Sequence, residues 1–103
     1  MLKHFTNEMN FDEEIKEGSV IVDFFATWCG PCRMLGTVLE ELSKEREDIK
    51  VLKIDTDEFS ELAMKFGVMS IPTILFYKNG EMVNKNIGFC DKEKLLSLLD
   101  KEN

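Results

Sequence analysis

Apolar positions fall along this chain in blocks that alternate between two periods. Val20-Ile21-Val22-Asp23-Phe24-Phe25-Ala26 is almost continuously apolar, β-branched or aromatic, as in a strand buried on both faces. After it, Met34, Leu35, Val38, Leu39 and Leu42 recur at helical spacing. They predict a helix over 31–46, with Pro31 at its first position, where a missing N–H costs nothing. Lys50–Asp55 reads as a second strand. Glu58–Phe66 reads as a short helix with Phe59, Leu62, Ala63 and Phe66 on one face and Gly67 ending it. Thr73–Tyr77 is a third strand, Lys78-Asn79-Gly80-Glu81 a hairpin turn, and Met82–Ile87 the antiparallel return. Asp91 caps a last helix carrying Leu95, Leu96, Leu98 and Leu99. Weaker patterning predicts a short strand at Leu2–Phe5 and a helix near Phe11–Lys16. Met34 and Met64 read as core filling.

The order β-α-β-α-β-α-β-β-α belongs to the α/β class. Strand 20–26, helix 31–46 and strand 50–55 make a βαβ unit, so those two strands run parallel. Helices then cover both faces of a central mixed sheet of about five strands. Sites on such sheets lie beyond the carboxyl ends of the strands, which is where Cys29 falls. No repeat, low-complexity stretch or Pro/Gly/Ser-rich linker interrupts the 103 residues, and a single domain over 1–103 is expected.

Charge narrows the partners. Twenty acidic against 13 basic residues give a net charge of −7, with no basic patch to suggest a nucleic-acid partner. That excess discourages self-association, so a monomer is expected. No segment approaches the roughly 18 apolar residues of a membrane span, and Met1–Thr6 lacks the apolar stretch of a signal peptide. The expectation is a cytoplasmic protein without a membrane partner.

The chemistry concentrates in Trp28-Cys29-Gly30-Pro31-Cys32, at the junction of strand and helix. Two cysteines three apart can close a small reversible disulfide. At a helix start the unpaired N–H groups favour a negative charge, which lowers the thiol pKa of Cys29 and raises its thiolate fraction. The thiolate is the attacking species in disulfide exchange. Cys32, one turn further on the same face, can reach back to resolve a mixed disulfide. Structural zinc would need four ligands, and only Cys90 and His4 remain, singly and far along the chain. A purely structural disulfide across so short a loop would constrain the unfolded chain little. Asp23, inside the apolar run, is costly to bury unless it is used or hydrogen-bonded.

At these residues the chain resembles the thioredoxin family. Trp28-Cys29-Gly30-Pro31-Cys32, the preceding Val22-Asp23-Phe24, Ile71-Pro72-Thr73, Phe76-Tyr77-Lys78-Asn79-Gly80 and Gly88 carry the likeness, and it spans roughly Phe5 to Leu99. The resemblance implies the thioredoxin fold and a general protein-disulfide reductase. Cys29 would be the nucleophile, Cys32 the resolving cysteine, and Asp23 a buried proton acceptor acting through water. Lys53 would tune that aspartate, unless it is a solvated strand end. Pro72 would be a cis-proline facing the disulfide. Trp28, Gly30, Pro31, Ile71, Pro72 and Gly88, with Ile87 and Phe89, would bind targets, Ile71 through its backbone. No metal or bound cofactor is implied. Disulfide-containing proteins would be the targets, and a thioredoxin reductase would supply the electrons. Gly-Pro between the cysteines resembles reducing members rather than oxidases or isomerases. A binding module with incidental thiols is the rival from another class.

The likeness is incomplete in places. Phe25 stands where many bacterial members have tryptophan, and Gly36-Thr37 stand where an internal helix proline is common. Gly36 costs about 1 kcal/mol relative to alanine and is expected to bend the helix behind Cys32. Asp57 matches an acidic residue near the family's tryptophan, with a solvated charge as the plainer reading. Cys90 is extra: a small hydrophobe, or a regulatory thiol. His4 reads as remote from the cysteines.

Overall fold

The computed structural model describes residues 1–100, so the last three positions of the expected domain lie outside it. Its elements are β1 (Leu2–His4), α1 (Phe11–Ile15), β2 (Ser19–Phe25), α2 (Gly30–Glu45), β3 (Ile49–Asp55), α3 (Ser60–Lys65), β4 (Thr73–Lys78), β5 (Glu81–Ile87) and α4 (Lys92–Asp100). The sheet order is β1-β3-β2-β4-β5. β3 pairs parallel with both β1 and β2, while β4 is antiparallel to β2 and β5.

Local chemistry accounts for the boundaries. Asn10 Oδ1 accepts from Glu13 N at 3.0 Å and starts α1; Asp91 Oδ1 accepts from Lys94 N at 2.9 Å and starts α4. Gly67, at φ +66°, ends α3. Asn79 (φ 50°) and Gly80 (φ +88°) turn β4 into β5 with the left-handed pair that matches strand twist. Asn79 Oδ1 also accepts from Gly18 N at 2.9 Å, and Asn79 N donates to Gly18 O at 2.9 Å, tying the hairpin tip to the start of β2.

The period of two in β2 sends Val20, Val22 and Phe24 to one face, where they join Leu52, Ile54, Leu75, Tyr77, Ile15 from α1 and Ala63 from α3. Ile21 faces the other way, with Val51, Ile74 and Phe76, Leu35, Leu39 and Leu42 from α2, and Leu95 and Leu99 from α4. Asp23 shares that second side. Each fully buried leucine of α2 contributes roughly 1.5–3 kcal/mol of burial. Met34 and Met64 do not fill the core: they are 60% and 76% exposed. The buried face of α2 runs Cys32, Leu35, Leu39, Leu42, and Met34 falls outside that stripe. Gly36 and Thr37 do not break α2, which continues from Gly30 to Glu45.

Candidate active site

Beyond the carboxyl end of β2 the chain turns through Ala26–Trp28 and enters α2 at Cys29, the N-cap residue. Cys29 Sγ takes the place that a capping oxygen usually holds. It accepts from Cys32 N at 3.2 Å, so one of the orphan amides of the helix start points at the sulfur. Pro31 occupies the second helical position, one later than expected. Cys29 and Cys32 are disulfide-bonded, with Cα atoms 5.2 Å apart.

The two sulfurs meet different surroundings. Cys29 Sγ lies 3.9 Å from Ile71 O, the carbonyl preceding Pro72, and the Ile71–Pro72 bond is cis. Pro72 is buried, and its own carbonyl accepts from Gly88 N at 2.8 Å, which fixes Gly88 beside this segment. Around the cysteines, Trp28 is 68% exposed and Ile87 65%, with Phe89 also open to solvent. The fold thus gathers Trp28, Gly30, Pro31, Ile71, Pro72 and Gly88 from three separate segments onto one end of the sheet. Met69, the most exposed large apolar residue, borders a cleft of about 220 Å³ with Trp28 and Ile71. A lone methionine in a loop has no period to mark it, so sequence pattern does not single it out. Trp28 Nε1 donates to Asp57 Oδ2 at 2.9 Å, so Asp57 is a partner of the tryptophan rather than a free charge.

Cys32 is 2% exposed and looks inward. With Phe25, Ala26, Thr27, Arg33 and Lys53 it lines a cleft of about 250 Å³. Asp23 is fully buried, and neither carboxylate oxygen has a hydrogen-bond partner among the described residues. Lys53 Nζ stands 3.8 Å from Asp23 Oδ2, at the long end of an ion pair. Burial pushes the Asp23 carboxyl up to about 7, and the nearby Lys53 charge opposes that rise without cancelling it. Lys53 is not a solvated strand end: its side chain is largely covered, and its ammonium lies 4.5 Å from the centre of the Phe25 ring.

Two further residues complete the surroundings: His4 lies beside Phe25, and Cys90 takes the small-hydrophobe setting expected of it. His4 pairs in register with Lys53, and its ring meets the edge of Phe25 at 6.3 Å, so it adjoins the Asp23–Lys53 row. Cys90 belongs to the apolar cluster beneath α4, and burial pushes its thiol up to about 11. That is a hydrophobe's setting, opposite to a reactive thiol's. Among the described residues no three His, Cys, Asp or Glu side chains come together as a metal would require. No described helix is long and apolar enough to cross a membrane.

Comparison with known proteins agrees along the whole of this frame. The sequence profile of the Thioredoxin family matches residues 2–101. The thioredoxin of Bacillus subtilis (strain 168) is 52% identical over 95 residues, covering 91% of each chain. That of Listeria monocytogenes is 50% identical over 102 residues, covering 98% of each. Among solved structures, a mutant thioredoxin from Halobacterium salinarum NRC-1 superposes with a TM-score of 0.85 at 36% identity, covering 96% of this chain and 88% of its own. Oxidized mitochondrial thioredoxin 3 from Saccharomyces cerevisiae also gives 0.85, at 32% identity, covering 97% of this chain and 95% of its own.

Proposed function

The chain belongs to the thioredoxin family, and on that premise we propose how its residues divide the work of a protein thiol–disulfide oxidoreductase. Cys29 is the nucleophile, and Cys32 resolves. Asp23 takes the proton, Lys53 tunes Asp23, and Trp28, Gly30, Pro31, Ile71, Pro72 and Gly88 hold the target.

The reaction it performs is reduction of target disulfides by dithiol–disulfide exchange. In the first step the Cys29 thiolate attacks one sulfur of the target. A Cys29–target bond forms, the target's S–S bond breaks, and its second sulfur leaves as thiolate. In the second step Cys32 gives its proton to Asp23, through water, and attacks Cys29 Sγ. The target's first sulfur is released, and Cys29–Cys32 is left oxidised. Two electrons have passed to the target, and a reductase partner must return them.

The observation that carries these roles is the asymmetry between the sulfurs. Cys29 Sγ caps the helix, receives the Cys32 N–H and faces the Ile71 carbonyl at the target-binding end. Cys32 faces the cleft that leads to Lys53 and the buried carboxylate. An acid near 7 is well matched to taking a proton at neutral pH. Because the Pro72 carbonyl is already bonded to Gly88, main-chain pairing with a target falls to Ile71.

Further parts of the reading rest on the relatives. We place the protein in the cytoplasm as a monomer of one domain, without a bound cofactor, and with a thioredoxin reductase as electron donor. The bacterial thioredoxins it is similar to, which match it nearly end to end, support this.

The test is trapping. Cys32→Ser is expected to hold target proteins as stable mixed disulfides through Cys29, whereas Cys29→Ser is expected to hold none. Asp23→Asn is expected to slow resolution by roughly a hundredfold while leaving the first attack nearly unchanged. Equal trapping by both serine variants would overturn the assigned order.

A further inference from the structure

Gly36 stands four residues after Cys32, one turn deeper on the same helical face, directly over the Asp23–Lys53 row. A Cβ placed on it would lie 3.2 Å from Lys53 Nζ, closer than ordinary contact. On another side the ammonium sits against the Phe25 ring, 4.5 Å from its centre, and on a third it meets Asp23 Oδ2 at 3.8 Å. We infer that Gly36 and Phe25 are positioning residues for Lys53. The missing side chain of Gly36 and the ring of Phe25 form a slot that holds the ammonium beside Asp23, and the slot thereby sets the pH at which the resolving step runs.

The slot explains why a helix keeps a glycine where alanine would be the better helix former. It also has a direction. A methyl group at position 36 would push the ammonium by a few tenths of an ångström or more. Asp23 is fully buried and offers no room, whereas the cleft lined by Cys32, Arg33 and Lys53 does. The displaced Nζ therefore moves toward the cleft and away from the carboxylate, recovering solvent as it goes.

Few other charges face this pair. From α2, Arg33 borders the cleft but donates to Thr27 O, and Cys32 is the group to be deprotonated. From β3, Asp55 is two positions beyond Lys53 and already accepts from Asp57 N and Glu58 N. From β1, His4 touches Phe25. β4 contributes only Ile74, the register partner of Asp23. Lys53 is thus the charge whose distance matters. Moving it from 3.8 Å to about 4.5 Å, at an effective dielectric of about 20, raises the Asp23 midpoint by about half a pH unit.

The experiment is a carboxyl-carbon NMR titration of Asp23 in the reduced full-length protein, which reads the proton directly. It therefore stands whether or not Asp23→Asn slows resolution as proposed above. Gly36→Ala is expected to raise the midpoint by about half a unit without lowering the thermal midpoint. The resolution rate should fall about two- to threefold below pH 7, with no change in the first attack. Phe25→Leu should raise the midpoint by a smaller amount. In a Lys53→Met background, Gly36→Ala should add nothing, because the group it displaces is gone. An unmoved or lowered midpoint in Gly36→Ala, or the same rise with Lys53 absent, would overturn the inference.

Discussion

The two faces of the central sheet are built from the same strands and treat buried polar groups differently. Beneath α1 and α3, β2 offers Val20, Val22 and Phe24, with a chain of ring contacts through Phe66, Phe11 and Tyr77, and the buried polar side chain opposite Phe24, Thr73, is satisfied, its Oγ1 donating to Ser70 O at 2.6 Å. Beneath α2 and α4, Ile21 begins an equally apolar layer, but one step along β2 the same face presents Asp23. One side only holds the fold together. The other also holds it together, except at the end nearest the disulfide, where a carboxylate without hydrogen-bond partners is kept at some cost to stability. Burial by itself is therefore not a statement about role: Val22 and Asp23 are both fully buried neighbours.

The sharpest contrast should come from removing one residue from each face. Phe24→Ala, on the side without a buried charge, is expected to destabilise by about 3–5 kcal/mol, equally at pH 5 and pH 8, in urea unfolding. A pH-dependent loss would show that the two faces are not separate in this sense.

Asp23→Asn should act in the opposite direction. The native carboxyl, near 7, holds its proton more tightly than the unfolded chain does at 3.8, so stability falls as pH rises between about 4 and 7. Removing the charge is expected to stabilise by about 4 kcal/mol at pH 8 and by less than about 1 kcal/mol at pH 4. Equal stabilisation at both pH values would mean that the charge is not the source of the cost.

A smaller, matched pair sharpens the boundary. Ile54→Val and Ile74→Val each remove one methylene from a fully buried side chain and should each cost about 1 kcal/mol. Ile74 is the cross-strand partner of Asp23, so a smaller residue there loosens the packing around the carboxylate. Its cost is expected to be lower at pH 8 than at pH 5, while that of Ile54→Val stays level. Level behaviour at both positions would confine the influence of Asp23 to its contact with Lys53.

This division also explains what could be read from the chain alone. The elements were legible because each carries its own period: the run through β2, the leucines of α2, the Asn79-Gly80 turn. Asp23 was legible as an interruption of that run, and Cys29 and Cys32 by their spacing. What surrounds Asp23 was not. The meeting of His4, Lys53, Phe25 and Gly36 depends on how β1, β3 and β2 are registered and on the height at which α2 crosses them, and neither is encoded in local pattern. Gly36 looked like a weak point of a helix because its reason lies on another strand. Met34 and Met64 lie outside the core for a related reason: helical spacing shows that a stripe exists, but the neighbouring layer decides which residues at its margin are covered.

The paired hydrogen bonds between Asn79 and Gly18 bear on how the molecule could be cut or re-engineered. A hairpin tip is ordinarily the easiest place to nick a chain or splice in a foreign loop. Here the tip doubles as a clasp on the beginning of β2, the opposite end from the one that leads into the disulfide. A loop grafted between Asn79 and Gly80 would unfasten the β4–β5 ribbon from the strand that carries Asp23, so an insertion made for convenience at the quiet end of the protein would be felt at the reactive one.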